Sequence, residues 1–215
     1  VALLLKLKNQ NNYKLVLSFS GAFLFSVTLL HLLPFVFKAQ TNAGIFILIG
    51  FFIQIVLEQL TKGVEHGHFH VHHESRFYVV SVMIGLSLHA FMDGLPLSNA
   101  NAITANYKSL LYGISLHKIP EGFALASLML AVHYKKITVG IFVFLFALVA
   151  PLGTYVSDLI TGINPDLLIP MLAIAIGSFL HVSTTILFES ENSQHHFGWK
   201  KMTAVALGLV LALLS

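Results

Sequence analysis

The chain has no cysteine. That absence excludes a disulfide framework and any thiolate metal site. Charge is also scarce: 10% of the 215 residues are Asp, Glu, Lys or Arg, where a soluble domain carries about 25%. The alternating period of a membrane barrel is missing as well. What is present in quantity is apolar. Hydrophobic residues make up 56% of the chain and the mean hydropathy is +0.83. Apolar runs of about 20 residues recur, the length needed to cross a hydrocarbon core. Phe and β-branched residues are common in them, but in lipid the backbone must hydrogen-bond to itself, so such runs are expected to be helices. The reading is an all-α polytopic membrane bundle, a single transmembrane domain over residues 1–215.

Spans are expected at roughly 15–37, 43–61, 77–99, 107–131, 137–160, 166–188 and 198–215, with boundaries loose by a few residues. Residues 1–8 (VALLLKLK) read as the cytoplasmic end of a helix that begins before Val1, with no signal-peptide cleavage pattern. Restoring that helix makes eight spans with both ends outside. A pI near 9.1 could suggest nucleic acid, but the basic residues sit in short loops between apolar runs. Alternating loops place Lys6, Lys8, Lys14, Lys62, Arg76, Lys135, Lys136, Lys200 and Lys201 on one side and only Lys38 and Lys108 on the other. The positive-inside tendency puts the first set in the cytoplasm. Asp158 and Asp166 then fall outside, where they could attract cations or simply be loop content.

Histidine is abundant, with 12 residues. Five of them, His66, His68, His70, His72 and His73, crowd the loop at 61–76 (TKGVEHGHFHVHHESR). By the charge count this loop is cytoplasmic. It is either a solvated linker or, in a metal-handling protein, a loose metal-binding tract.

The remaining chemistry lies inside the apolar runs. The third span contains SLHAFMDGLPLSNA (87–100) and the fourth SLHKIPEGFALAS (115–127). His89 and Asp93 are four apart, as are His117 and Glu121, so each helix presents an imidazole and a carboxylate on one face. His89 lies roughly 12 residues into its span and Glu121 roughly 14 into its own, which at about 1.5 Å per residue is near the bilayer centre. An acidic residue there costs roughly 2.5–3.5 kcal/mol on insertion scales. A divalent cation between the two helices offsets that cost and takes the imidazoles as neutral ligands. Four N and O donors suit Zn²⁺, and also Fe²⁺, Mn²⁺ or Cd²⁺. A proton relay uses the same residue types. Gly94 and Pro96 follow Asp93, and Pro120 precedes Glu121. Each proline removes a helical hydrogen bond, freeing the carbonyls of Met92 and Leu116 beside the candidate ligands. Broken helices in transporters put such groups on the substrate path.

The paired HxxxDG and HKxPEG motifs resemble the signature of the ZIP family of divalent-metal transporters. LLHLLP (29–34), APLG (150–153) and GSFLHVSTTILFES (177–190) look like that family's second, sixth and seventh helices, so the resemblance covers nearly the whole chain. It implies an eight-span fold with the first span largely missing here. It also implies movement of Zn²⁺ or a similar ion toward the cytoplasm as substrate rather than cofactor. A homodimer in a plasma or bacterial inner membrane is implied too, with His89, Asp93, His117 and Glu121 as main-site ligands and no enzymatic activity. Some members hold two ions, using positions that here look like Ala90, Lys118 and Ala150. None of these is an expected ligand. Lys118 either brings its ammonium to the place of the second ion, leaving a one-ion site, or turns aside and snorkels.

His31 and His181, deep in their spans, are transit ligands or bundle hydrogen-bond partners. Glu189, Glu191, His195 and His196 group near a cytoplasmic mouth. The runner-up function is an intramembrane zinc hydrolase of the ceramidase-like kind, which needs an open metal position and an acid/base group. No HExxH motif occurs, and both carboxylates read as metal ligands. A metal sensor that binds without transport is a third reading.

Overall fold

The computed structural model of the chain describes residues 10–64, 76–98, 107–189 and 198–215. Helices account for nearly all of these residues, and no strand occurs among them. Helix α1 (Gln10–Val27) passes through a π-helical segment, Thr28–Leu32, into α2 (Leu33–Ala39). Pro34 causes the widening. It cannot donate to the Leu30 carbonyl and its ring crowds the preceding turn, so the Leu33 N–H reaches back to Thr28 O instead. This is the bonding pattern of a π-bulge. Helices α3 (Ala43–Thr61) and α4 (Arg76–Gly94) follow, the latter tightening into a 3₁₀ turn at Leu95–Leu97. Next come α5 (Tyr107–Ala131), α6 (Lys136–Ala147) and α7 (Val149–Ile163). The α6–α7 break falls where Pro151 leaves the Ala147 carbonyl without its helical donor. A 3₁₀ turn (Pro165–Leu167), α8 (Leu168–Glu189) and α9 (Trp199–Leu214) complete the order.

Five helical stretches are long and apolar enough to cross a membrane: Tyr13–Ala39, Ala43–Thr61, Phe77–Leu97, Lys136–Ile163 and Pro165–Phe188. They match five of the seven expected spans. The other two exist as helices without meeting that standard. α5 is diluted by Lys108, His117, Lys118 and Glu121, and α9 has only 16 residues. The surface is inverted relative to a soluble protein. Ile45, Phe52 and Val56 of α3, Phe144 of α6 and Leu152 of α7 are exposed, while Gln54, His89, Asp93, His117, Glu121, Ser157 and Ser178 are buried. Apolar outside and polar inside is the distribution a lipid solvent selects. The chain is an integral membrane protein.

Helix α3 packs most extensively on α8, α1 on α9, and α4 on α7. Glycines permit all three approaches, Gly208 of α9 lying against the Phe19 carbonyl of α1. A Cβ on Gly50 would overlap the Ile174 carbonyl, and one on Gly177 the Ile47 carbonyl, so α3 and α8 touch backbone to backbone. Gly94 meets the Ala150 backbone and Gly153 that of Phe91 in the same way, which seats the end of α4 against α7. The two larger apolar clusters join residues from several helices. One joins Leu24, Val27, Leu32, Leu110, Leu172, Ile176 and Phe179; the other joins Val82, Leu86, Ala90, Leu125, Leu128, Met129 and Phe146. Ala90 is therefore a packing residue, as its lack of a ligand atom requires.

Candidate metal centre

The site rests on α4 and α5. Each carries its imidazole and carboxylate one turn apart, and the helices set the two faces against each other. His89 Nε2 lies 3.0 Å from Glu121 Oε1, and His117 Nε2 lies 3.0 Å from the same oxygen. His89 Nε2 is also 3.3 Å from Asp93 Oδ2. The two imidazole rings stand edge to face, with centroids 6.0 Å apart. One ligand atom from each of His89, His117 and Glu121 falls within 4.8 Å of the others. Asp93 stands beside this triad rather than within it. All four side chains are at most 1% exposed.

Lys118 explains the position of Asp93. Its Nζ lies 2.5 Å from Asp93 Oδ2 and 2.6 Å from Glu121 Oε2. The ammonium bridges the two carboxylates, so the snorkelling alternative does not hold. Glu121 divides its oxygens, with Oε1 facing the imidazoles and Oε2 facing the ammonium. Lys118 is the most accessible member of the cluster, at 19% exposure, and its Nζ lies over the Phe146 ring, 5.9 Å from the centroid.

Three buried polar atoms, His89 Nε2, His117 Nε2 and Glu121 Oε1, meet here at contact distance without a well-directed hydrogen bond between them. Such atoms are costly unless something satisfies them. Two imidazole nitrogens and carboxylate oxygens form the donor set of a borderline divalent ion. Such a donor set can take up a cation with release of the protons that its groups carried.

Helix breaks beside the site take a form the prolines predict only in part. After Asp93, α4 stops rather than kinking, and the Gly94 carbonyl is capped by Thr154 Oγ1 from α7 at 2.9 Å. Pro120 stays inside a continuous α5. Ala150 contributes its backbone to the same junction, accepting from Thr154 Oγ1 at 3.3 Å, and offers no ligand.

The secondary candidates separate. His31 Nε2 donates to the Ala212 carbonyl on α9 at 3.1 Å, a hydrogen bond between helices of the bundle. His181 Nε2 pairs with Glu58 Oε2 at 2.6 Å and sets its ring edge against Phe51. His66, His68, His70, His72 and His73 lie outside the described residues, as do Glu191, His195, His196 and the Glu189 side chain.

Gln54 and Ser178 escaped the sequence reading. Gln54 Oε1 lies 3.0 Å from His89 Nδ1 and 3.0 Å from Ser178 Oγ. Gln54 and Glu58 were visible as polar residues inside the apolar run 43–61, and a polar residue at that depth is a functional signal by itself.

A membrane-spanning helical bundle with a buried His/carboxylate cluster is the architecture of a membrane metal carrier. The ZIP zinc transporter family model matches residues 65–215, and the chain belongs to that family. It is a divalent-metal transporter of that class. Neither the curated proteins nor the solved structures contain a match.

Proposed function

We propose that the chain moves Zn²⁺, or a similar ion such as Fe²⁺, Mn²⁺ or Cd²⁺, toward the cytoplasm through the cluster of His89, Asp93, His117 and Glu121. The single observation that carries this reading is the convergence of two imidazole nitrogens and a carboxylate oxygen on one buried point between α4 and α5. The direction is what the family resemblance implies, and loop charge assigns the His-rich loop at 61–76 to the cytoplasm. The rest of the setting is proposed from the family resemblance: eight spans in one domain, a homodimer, and a plasma or bacterial inner membrane.

Charge makes one ion the natural load. With neutral imidazoles, two carboxylates and the Lys118 ammonium leave one net negative charge. A divalent ion brings the cluster to one net positive charge, whereas a second ion would raise it to three in a dry site. Lys118 thus stands in for a second ion. An arriving cation takes Glu121 Oε1 and the two imidazole nitrogens, and draws Asp93 from the ammonium. Departure returns both carboxylates to Lys118, so no carboxylate is left uncompensated between cycles.

Uptake of radioactive Zn²⁺ into proteoliposomes tests the proposal, run as a competition among the four metals. Wild type is expected to accumulate metal and the Asp93→Ala, Glu121→Ala double variant is not. Equal uptake by the two would end the transport reading.

A further inference from the structure

The Nδ1 side of His89 faces away from the cluster, and what it meets there comes from a different part of the bundle. Gln54 of α3 is fully buried and aims its amide oxygen at this nitrogen. Ser178 of α8, also fully buried, directs its hydroxyl at the same oxygen and sits 3.5 Å from His89 Nδ1. Both neighbours of Oε1 are therefore donors. An amide oxygen only accepts, so Nδ1 is the donor in this contact, and Nε2 is the nitrogen that faces Glu121 and Asp93.

We infer that Gln54, oriented by Ser178, is a positioning residue that holds His89 in the one neutral tautomer able to ligate metal through Nε2. The inference rests on the metal-site reading above and adds to it a residue outside the two motif helices. Second-shell acceptors commonly fix a ligand histidine in this way. The rest of the Gln54 environment argues against a packing role. Its Nε2 is buried with no hydrogen-bond partner among the described residues, a cost that an apolar side chain of the same size would avoid. The acceptor is also held firmly. Gly50 precedes Gln54 by one turn and Gly177 adjoins Ser178, and these glycines bring the α3 and α8 backbones into contact. Oε1 is thus presented to His89 from a rigid pair of helices. An amide, unlike a carboxylate, polarises the imidazole only weakly, so His89 is oriented without becoming so strong a ligand that the ion cannot leave.

The test uses the full chain in detergent. Zn²⁺ affinity is measured by competition with a chelator, and the His89 tautomer of the metal-free protein by ¹⁵N NMR, assigned against His89→Gln. Gln54→Leu is expected to weaken Zn²⁺ binding roughly 10–100-fold and to remove the Nδ1-protonated signal. Gln54→Glu is expected to keep that signal and to bind more tightly than the parent, with slower uptake. Binding by Gln54→Leu within twofold of the parent would overturn the inference. So would Gln54→Glu binding as weakly as Gln54→Leu. If Gln54→Leu does not fold, Gln54→Glu decides: tighter binding with the tautomer kept supports the assignment, and unchanged or weaker binding refutes it. His89→Gln separates this failure from failure of the site itself. If it leaves affinity unchanged, the metal site is wrong; if it lowers affinity while Gln54→Leu does not, only the role of Gln54 is wrong.

Discussion

Replacing Lys118 with methionine removes the ammonium while keeping most of its volume. In the metal-free protein, Nζ is 2.5 Å from Asp93 and 2.6 Å from Glu121. At an effective dielectric of about 20, each contact is worth about 6 kcal/mol gross, much of it offset by desolvation. Deleting one partner of a buried pair costs about 3–5 kcal/mol, because the charge left behind has no compensation. The metal-free Lys118→Met protein should therefore unfold earlier, by on the order of 10 °C in a thermal scan. With metal bound the sign reverses. A divalent ion about 5 Å from the ammonium feels a gross repulsion of about 6–7 kcal/mol at the same dielectric. Even if most of that is screened, the variant should bind Zn²⁺ at least about tenfold more tightly, or about 1.4 kcal/mol. Saturating Zn²⁺ should then restore much of the lost thermal stability, since a ligand that binds only the folded state stabilises it. Thermal unfolding in chelator and in Zn²⁺, with titration calorimetry of both proteins, measures every part of this. An unchanged midpoint in chelator together with unchanged affinity would refute the role given to Lys118. Two ions bound tightly in the core of the wild type would refute the one-ion site.

Two further outcomes follow from the packing and the donor set. Gly177→Val forces a side chain into the Ile47 carbonyl and the Phe51 backbone. It should lower stability by about 1–3 kcal/mol or more, read as loss of monodisperse protein on heating in detergent, whereas the same change at Gly162, which faces open space, should be mild. Protons compete with metal for imidazole nitrogens and carboxylate oxygens, so Zn²⁺ affinity should fall as pH is lowered and be largely lost by about pH 4.5. Calorimetry at that pH with undiminished affinity would show that these groups are not the ligands.

The candidate cluster was legible because its geometry is local. His89 with Asp93, and His117 with Glu121, share a helix face by spacing alone, and their depth within apolar runs marks them as functional. The neighbours were not legible. Nothing in HKIPEG tells whether Lys118 turns inward; that depends on where α4 places Asp93. Gln54 and Ser178 are 124 residues apart and meet only because Gly50 and Gly177 let α3 and α8 touch. The His181–Glu58 pair and the His31 bond to Ala212 are contacts of the same long-range kind.

By itself, the sequence determined the class of solvent, the helical state of the spans, the family, and which residues can ligate metal. Each of these follows from hydropathy, helical period or a contiguous motif. Tertiary structure alone decided that the Lys118 ammonium accompanies the carboxylates, which nitrogen of His89 faces them, and that His31 and His181 bond to other parts of the bundle. Those outcomes depend on distances of a few ångströms between helices remote in sequence, and side-chain packing sets those distances.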